Sequence, residues 1–280
     1  MRKLGDEGMP AARYAIHNTL TRAPLHQRWW INDPDCLLLQ PDMELTLAEV
    51  QTLATVIAMS GGSVMLSDHL LDLPPERLRI AQSLLPPMGQ RPLVLDWFDN
   101  QTPTRLQLEL HGSTGCWHLL ALFNWLDETQ DMSLWLSDFL LDTRATYYAH
   151  EFWGAKSYQI QPGSARTNPI LLREIPAHGV ALLAVRPHQP YQPQYLGSNL
   201  HISQGMEVTA WEPSSNKVQV CLQRPGRARG SILLGLPYPP KQAQIDGKPL
   251  TWQPDGERCY RFEVEFEQTA EISITTETGK

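Results

Sequence analysis

The order of apolar and polar residues predicts a helical first third of the chain. Apolar side chains recur at helical spacing over 9–25, a capping-box pattern opens a second helix over 46–59, and a third helix is predicted over 75–85. Short apolar runs at 36–39 and 63–67 predict buried strands between these helices. Because helices and strands in alternation are typical of parallel α/β folds, this part of the chain is predicted to belong to that class.

The remainder of the chain shows the alternating pattern of short strands. Turn residues separate these strands at intervals typical of β-sandwiches, and Asp246 with Gly247 predicts a two-residue hairpin turn. A proline-rich stretch over 187–193 is interpreted as a linker or an edge crossing. The predicted strands span 106–110, 118–124, 132–136, 158–161, 180–185, 207–211, 217–222, 231–236, 243–245, 260–266 and 272–275. The predicted fold class is therefore α/β plus all-β, with an α/β segment over 1–92, a β-sandwich over 93–188 and a second β-rich sandwich unit over 189–280.

Composition narrows the possible partners. The chain has 280 residues, 30 acidic against 23 basic side chains and a formal net charge of -7, which argues against non-specific binding to nucleic acid or to an anionic membrane. It has no apolar run of transmembrane length and no secretory signal peptide, and its four cysteines are scattered, so we expect reduced thiols and a cytoplasmic location. No phosphate loop or dinucleotide-binding glycine pattern predicts a cofactor. The short cluster of His111, Cys116 and His118 has the residue types of a metal site, but we interpret it as a strand end with two ordinary histidines and predict no metal.

One stretch of the sequence resembles a known family. Residues 28–38 read RWWINDPDCLL and resemble the (W/L)NDPD segment of α-galactosidases, in the clan that joins glycoside hydrolase families 27 and 36. Residues 8–22 resemble the approach to that segment in family 36, and 60–70 resemble its last barrel strand, with SDHL in place of the usual SDDL. Beyond 1–92 the resemblance is looser and concerns motifs of the β-sandwich that follows the barrel, at 122–125 and 175–179.

The resemblance implies a fold and a reaction. The fold would be a (β/α)8 TIM barrel followed by antiparallel β-sandwich domains, with 1–92 as the last strands and helices of an incomplete barrel. The reaction would be the retaining hydrolysis of α-galactosides, with one aspartate as nucleophile and another as acid/base. In the family both aspartates lie on segments upstream of the first residue here, and Asp6 lacks the family's arginine-containing context. We therefore expect no catalytic residue in this chain, which would be a truncated gene product or one piece of a split enzyme whose upstream chain supplies the rest of the barrel.

Five residues are predicted to contact the sugar. By the resemblance, Asp35 lies at the mouth of the sugar pocket, Cys36 lines the same pocket, Asp33 and Trp30 lie beside it, and Asp68 lies at the end of a barrel strand. Ionised carboxylates accept hydrogen bonds from sugar hydroxyls, and an indole can stack on a sugar ring. The structural alternative for Asp33 and Asp35 is that they cap the loop or pair with Arg28, and for Asp68 that it caps a helix or lies in a loop. Trp29 and Trp30 have the same two interpretations, stacking on a sugar ring or packing in the core. Asp33 and Asp35 are not predicted to be acid and nucleophile, because residues two apart on one loop do not face each other across a glycosidic bond.

A second hypothesis is a non-catalytic β-rich module that binds carbohydrate or another protein. Tryptophans in the predicted strands can form a binding face for such a ligand. Alternating strands also bury aromatic residues, and we interpret the following tryptophans as core residues instead: Trp117, Trp125, Trp135, Trp153, Trp211 and Trp252.

Overall fold

A computed structural model describes residues 11–162 and 169–277. Within these ranges the protein is mostly β, with few helices. The helices are α1 (Ala12–Arg22), α2 (Leu47–Met59) and α3 (Pro75–Ser83). The strands are β1 (Cys36–Leu37), β2 (Met65–Leu66), β3 (Leu93–Val94), β4 (Arg105–Gly112), β5 (Gly115–Phe123), β6 (Gln130–Leu134), β7 (Tyr147–Glu151), β8 (Ser157–Ile160), β9 (Ile170–Ile175), β10 (Val180–Pro187), β11 (Gln194–Ser198), β12 (Val208–Pro213), β13 (Lys217–Gly235), β14 (Pro240–Ile245), β15 (Lys248–Pro249), β16 (Trp252–Pro254) and β17 (Cys259–Thr276).

The strands form four sheets, and the chain divides into two compact units. The sheets have the strand orders β1-β2, β6-β9, β3-β4-β5-β10-β7-β8 and β11-β13-β17-β14-β15, with β12 paired to β13 and β16 paired to β17. Unit 1 comprises the described parts of Met1–Glu109, His118–Arg144 and Gln161–Leu183, and unit 2 comprises those of Leu110–Trp117, Ala145–Ile160 and Ala184–Lys280. The three-segment domain division of the sequence stays a prediction. No helix among the described residues is long and apolar enough to cross a membrane.

In unit 1 the three predicted helices form close to their predicted positions. The first helix is confirmed over Ala12–Arg22, while Ala23–Leu25 form a short 3-10 helix instead. Residues 9 and 10 of that prediction lie outside the described residues. The capping box of α2 is confirmed, because the Thr46 side chain accepts from the Glu49 backbone N–H and the Glu49 carboxylate accepts from the Thr46 N–H. The last ten residues of α2 apart from Gln51 are buried, so this helix is covered on nearly all sides. It ends before Gly61, whose φ of +73° is a left-handed conformation that glycine adopts without strain.

The two predicted strands of the first segment pair in parallel, Cys36 with Met65 and Leu37 with Leu66. The prediction of a buried strand over 63–67 was wrong in length and in burial. The strand has two residues, Met65 is exposed and Leu66 is half-buried. Among the described strands β2 pairs with β1 alone, so its other edge has no neighbouring strand to bury it.

A histidine with a carboxylate at each ring nitrogen fixes the start of α2. The Nδ1 atom of His178 lies 2.9 Å from Oε1 of Glu49, and its Nε2 atom lies 2.8 Å from Oδ1 of Asp127. The Thr52 hydroxyl donates to the His178 carbonyl oxygen at 2.7 Å. Burial would raise the pKa of Glu49, but hydrogen bonds from the Thr46 backbone and from His178 outweigh it and hold the pKa below its ordinary value of 4.5.

Unit 2 is built on two long antiparallel strands, β13 and β17. The sequence predicted separate strands at 217–222 and 231–236 and again at 260–266 and 272–275, and this prediction was wrong, because each pair lies on one continuous strand. The register shifts between Gln223 and Arg227, so the residues between them form a bulge rather than a turn. A bulge tolerates the missing N–H of proline at position 225.

The predicted hairpin turn at Asp246 and Gly247 is confirmed, because the two residues have positive φ angles of 49° and 76°.

The core of unit 2 contains a buried positive charge. The Arg186 guanidinium lies 4.6 Å from the centre of the Trp117 ring and donates to the Gln204 carbonyl oxygen at 2.7 Å.

Of the tryptophans predicted to lie in the core, Trp117 is fully buried. Four of the other predicted core tryptophans are half-buried, whereas Trp252 is exposed, because it lies on the short edge strand β16.

The lowered pKa of Glu49 leads to a prediction about stability against pH. A carboxylate whose pKa is depressed in the folded state contributes stability above its unfolded pKa, and this contribution is lost as the pH falls through the folded-state pKa. Glu49→Gln should lower the free energy of unfolding by ~1–3 kcal/mol at pH 7, since it removes charge-assisted hydrogen bonds. The difference between the wild type and the variant should shrink as the pH falls below 4.5, the ordinary value.

Urea unfolding curves measure the difference in the free energy of unfolding between the wild type and the variant. They are recorded from about pH 3 to about pH 8, because this range includes the titration of carboxylates at about pH 4. Glu76→Gln is the matched control, because Glu76 is an exposed glutamate in the first turn of α3. A Glu49→Gln difference that does not change with pH would contradict the assignment.

Candidate functional site

A surface groove of about 270 Å³ in unit 1 contains three of the five predicted sugar-contacting residues, Trp30, Asp33 and Asp35. Its wall on the other side comes from α1. The complete lining is Ala15, Asn18, Thr19, Arg22, Trp30, Asn32, Asp33, Pro34 and Asp35. The groove thus brings carboxylates, carboxamides and an indole together in one place, and these groups can bind the hydroxyls and the apolar face of a sugar.

Asn32 organises the loop that carries these residues. Its Oδ1 atom accepts from the Trp30 indole N–H at 2.9 Å, and its backbone N–H donates to Nδ1 of His26 at 2.9 Å. Burial, and then the charge of Arg91, lower the pKa of His26, which suits a ring whose Nδ1 atom accepts a hydrogen bond. The Asn32 carbonyl oxygen accepts from the Ser63 N–H at 3.2 Å, which ties the loop to the segment that leads into β2.

The amide nitrogen of Asn32 has no hydrogen-bond partner among the described residues, although Asn32 is only 5% exposed. Because Oδ1 is held by the Trp30 indole, the side chain leaves Nδ2 as the free donor. Nδ2 is itself buried and not open to the groove, and leaving such a donor without a partner costs ~1–3 kcal/mol.

The two aspartates shape their own loop as well as the groove. Oδ1 of Asp33 accepts from the Asp35 N–H at 3.2 Å, and Oδ1 of Asp35 accepts from the Cys36 N–H at 2.7 Å. Asp35 has a φ of +71°, in the left-handed region that aspartate tolerates better than most residues. Both carboxylates are on exposed residues, and each can still accept further hydrogen bonds from a ligand.

The aromatic side of the groove is open. Trp29 is 78% exposed and Trp30 is 43% exposed, and their ring centres lie 6.2 Å apart in a T-shaped arrangement. The alternative of core packing therefore fails for Trp29 and holds only in part for Trp30. Exposed indole faces suit stacking on the apolar face of a sugar ring.

Cys36 and Asp68 do not belong to the groove lining. Cys36 is half-buried at the start of β1, and Asp68 accepts the Leu39 N–H on Oδ2 at 2.7 Å. In this structure Asp68 thus anchors the segment after β1, as the structural alternative has it. None of the lining residues takes part in a three-donor metal group among the described residues.

Sequence reasoning missed six groove residues, and among these Asn18, Arg22 and Asn32 carry the carboxamide and guanidinium groups. Arg22 donates to the Asn18 side chain, one helical turn before it, so α1 presents both side chains together. Spacing four apart on the predicted helix was the available signal for this pair. Nothing in the sequence placed that face of α1 against the loop.

No protein-family model matches the sequence. Solved structures that resemble this chain are glycosidases. They include α-galactosidase I from Mortierella vinacea (16% identity, TM-score 0.48, 63% of this chain and 45% of that chain) and the α-galactosidase from Saccharomyces cerevisiae with raffinose (14%, 0.49, 64% and 52%). Another is a family 27 β-L-arabinopyranosidase from Geobacillus stearothermophilus in complex with arabinose (14%, 0.49, 63% and 42%). The chain spans about half of the length of these proteins, or less.

The close approach of Gly62 to Asn32 gives a prediction about the groove. A methyl group on Gly62 would lie 2.0 Å from the Asn32 carbonyl oxygen, well inside contact distance. Gly62→Ala should therefore displace the loop and destabilise the protein by ~1–3 kcal/mol, the usual cost of overpacking. Thermal unfolding measures the destabilisation, and tryptophan emission reports the displacement of Trp29 and Trp30.

Gly89→Ala is the control in the same unit, because a methyl group there meets no atom within 4 Å. Its φ of +65° adds only the left-handed strain of ~1–2 kcal/mol. Unchanged tryptophan emission in Gly62→Ala would show that the loop does not depend on this contact.

Proposed function

We propose that this chain is the C-terminal part of an α-galactosidase-like retaining glycoside hydrolase, similar to family 36, and that the groove in unit 1 binds the sugar. The observation that carries the proposal is the groove that places Trp30, Asp33 and Asp35 beside Arg22 of α1. A guanidinium donor, carboxylate acceptors and an exposed indole are together what a pyranose with several hydroxyls requires.

In this proposal Asp33 and Asp35 bind and do not catalyse. A retaining hydrolase needs two carboxyl groups ~5 Å apart on opposite faces of the sugar. Asp33 and Asp35 lie on one loop, and each holds a backbone N–H of that loop. The resemblance assigns the nucleophile and the acid/base to upstream segments, so the proposal includes an inactive isolated chain.

The same proposal includes an upstream partner chain. Strands β1 and β2 pair only with each other among the described strands, so both outer edges are free to accept a parallel strand. A barrel closes by this kind of pairing. A cytoplasmic location also belongs to the proposal, and the four free cysteines support it.

Sugar binding should be measurable on the chain as it stands. Methyl α-D-galactoside should quench tryptophan emission in a saturable way, because Trp29 and Trp30 are exposed beside the groove. Arg22→Met should weaken the affinity about tenfold, which corresponds to ~1.4 kcal/mol for one charged hydrogen-bond donor. Arg28→Met is the matched control, since Arg28 is exposed and lies outside the groove lining. Equal losses in both variants, or no saturable quenching in the wild type, would overturn the assignment of the groove.

Activity should be absent in the same preparation. An aryl α-galactoside should show no turnover above background with the purified chain, and Asp35→Asn should leave that result unchanged. Turnover that survives repeated purification and is lost in Asp35→Asn would place a catalytic carboxylate in this chain and contradict the proposal.

A further inference from the structure

The outer face of the large sheet in unit 2 carries a second groove. It has a volume of about 330 Å³ and crosses four adjacent strands, β12, β13, β17 and β14. The lining is Ala210, Glu212, Gln219, Val220, Cys221, Gln244, Asp246, Gly247, Glu271, Ile272 and Ser273. Side chains on the opposite face of these strands form the buried core of the unit, so the groove rests on a packed support.

Strand register aligns the polar side chains of this groove in a row. Glu212 pairs with Gln219, Gln219 pairs with Ser273, and Ser273 pairs with Gln244. Paired residues of neighbouring strands share one face of the sheet and lie about 5 Å apart. The row therefore presents a carboxylate, which only accepts, followed by two carboxamides and a hydroxyl, which both donate and accept. Glu271 and Asp246 lie beside the row in the same groove.

The chemistry of this row differs from the rest of the same face. Farther along β13 and β17 opposite charges compensate each other, and Arg227 forms an ion pair with Glu265. In the groove no lysine or arginine is among the lining residues. Neither Glu212 nor Glu271 has a side-chain ion pair with any described residue. The carboxylates of the groove are therefore not neutralised by a neighbouring side chain in the described part of the chain and are available to accept hydrogen bonds from a ligand.

Cys221 lies within the groove, and the charges of two groove carboxylates act on its thiol. The thiol is half-buried, and burial first, then the charges of Glu271 and Glu212, raise its pKa. Both carboxylates therefore act on the same small volume. The Asp246 carboxylate is held in place because its Oδ1 atom accepts from the Glu271 backbone N–H at 2.8 Å. This bond does not involve the Glu271 side chain, whose direction is set by its position on the strand.

We propose that this groove binds a neutral oligosaccharide. Carboxylates and carboxamides of the row match vicinal hydroxyls, which donate and accept in alternation. The absence of lysine and arginine from the lining disfavours phosphate-bearing or uronate ligands. The lining residues also form no three-donor metal group among the described residues. No large aromatic side chain lines the groove, so recognition here rests on hydrogen bonds and not on stacking. The site is separate from the groove in unit 1 and does not depend on the function proposed there.

Alkylation of Cys221 tests the proposal on the intact chain. Maltotriose, cellotriose and raffinose are added singly, iodoacetamide is applied at alkaline pH, and each cysteine is followed by mass spectrometry. At least one trisaccharide should slow the alkylation of Cys221 by about tenfold, as expected for 90% occupancy of the groove, while the exposed Cys116 reacts at an unchanged rate.

Two variants of β17 separate groove binding from general effects. Glu271→Gln should abolish the protection, whereas Glu263→Gln, which pairs with Ser231 outside the groove, should retain it. The proposal is overturned if no trisaccharide protects Cys221, if all cysteines are protected alike, or if Glu263→Gln loses protection as fully as Glu271→Gln. Protection by spermidine in place of the sugars would also overturn it and would assign the groove to cationic ligands.

The test of this groove can fail or succeed independently of the test of the groove in unit 1. Glu271→Gln should leave the quenching of tryptophan emission by methyl α-D-galactoside unchanged. Saturable quenching together with an unprotected Cys221 would refute only the second groove, and protection of Cys221 without quenching would refute only the first.

Discussion

The contact between the Asn32 carbonyl oxygen and Gly62 is the constraint on which the candidate sugar site depends. There is no room for a side chain at Gly62, so the segment that leads into β2 passes directly against the loop that carries Trp30, Asp33 and Asp35. The same carbonyl oxygen accepts from the Ser63 N–H, which turns close packing into a directed bond. Since Asn32 also holds the Trp30 indole, the approach of two backbones positions an aromatic side chain of the groove.

Unit 2 contains buried charged side chains, among them Glu207 and Arg186. The carboxylate of Glu207 accepts from the Tyr195 hydroxyl at 2.7 Å and from the Gly205 N–H at 2.8 Å, and the Ser198 hydroxyl donates to it as well. A buried carboxylate with several donors avoids most of the cost of leaving water. Gly205 leaves space for the guanidinium of Arg186, since a methyl group there would lie 2.7 Å from its Nη2 atom. The pairing of Arg186 is incomplete, because its Nε and Nη1 atoms have no hydrogen-bond partner among the described residues.

Local features of this structure could be predicted from the sequence, and those that depend on distant contacts could not. The capping box of α2, the parallel pairing of β1 with β2 and the turn at Asp246 each rest on a few neighbouring residues or on a general rule for the class. The continuity of β13 was missed because Pro225 and Gly226 have the composition of a turn, and only pairing with β17 makes them a bulge. The bond between His178 and Glu49 joins residues 129 positions apart, which no spacing rule detects.

The candidate site shows the same division, and the structural interpretation of the aspartates is compatible with the binding role proposed for them. Asp33 and Asp35 cap backbone N–H groups, which was the structural interpretation, and they also line the groove that is proposed to bind the sugar. A carboxylate has about four acceptor positions, and one backbone N–H occupies only one of them. The backbone bond fixes the side chain before any ligand arrives, so less conformational entropy is lost on binding. Structural capping therefore fixes the direction of the remaining acceptor positions of this loop and leaves them available to a ligand. For the same reason a capping bond does not count against a binding role unless it uses all of the acceptor positions of the group.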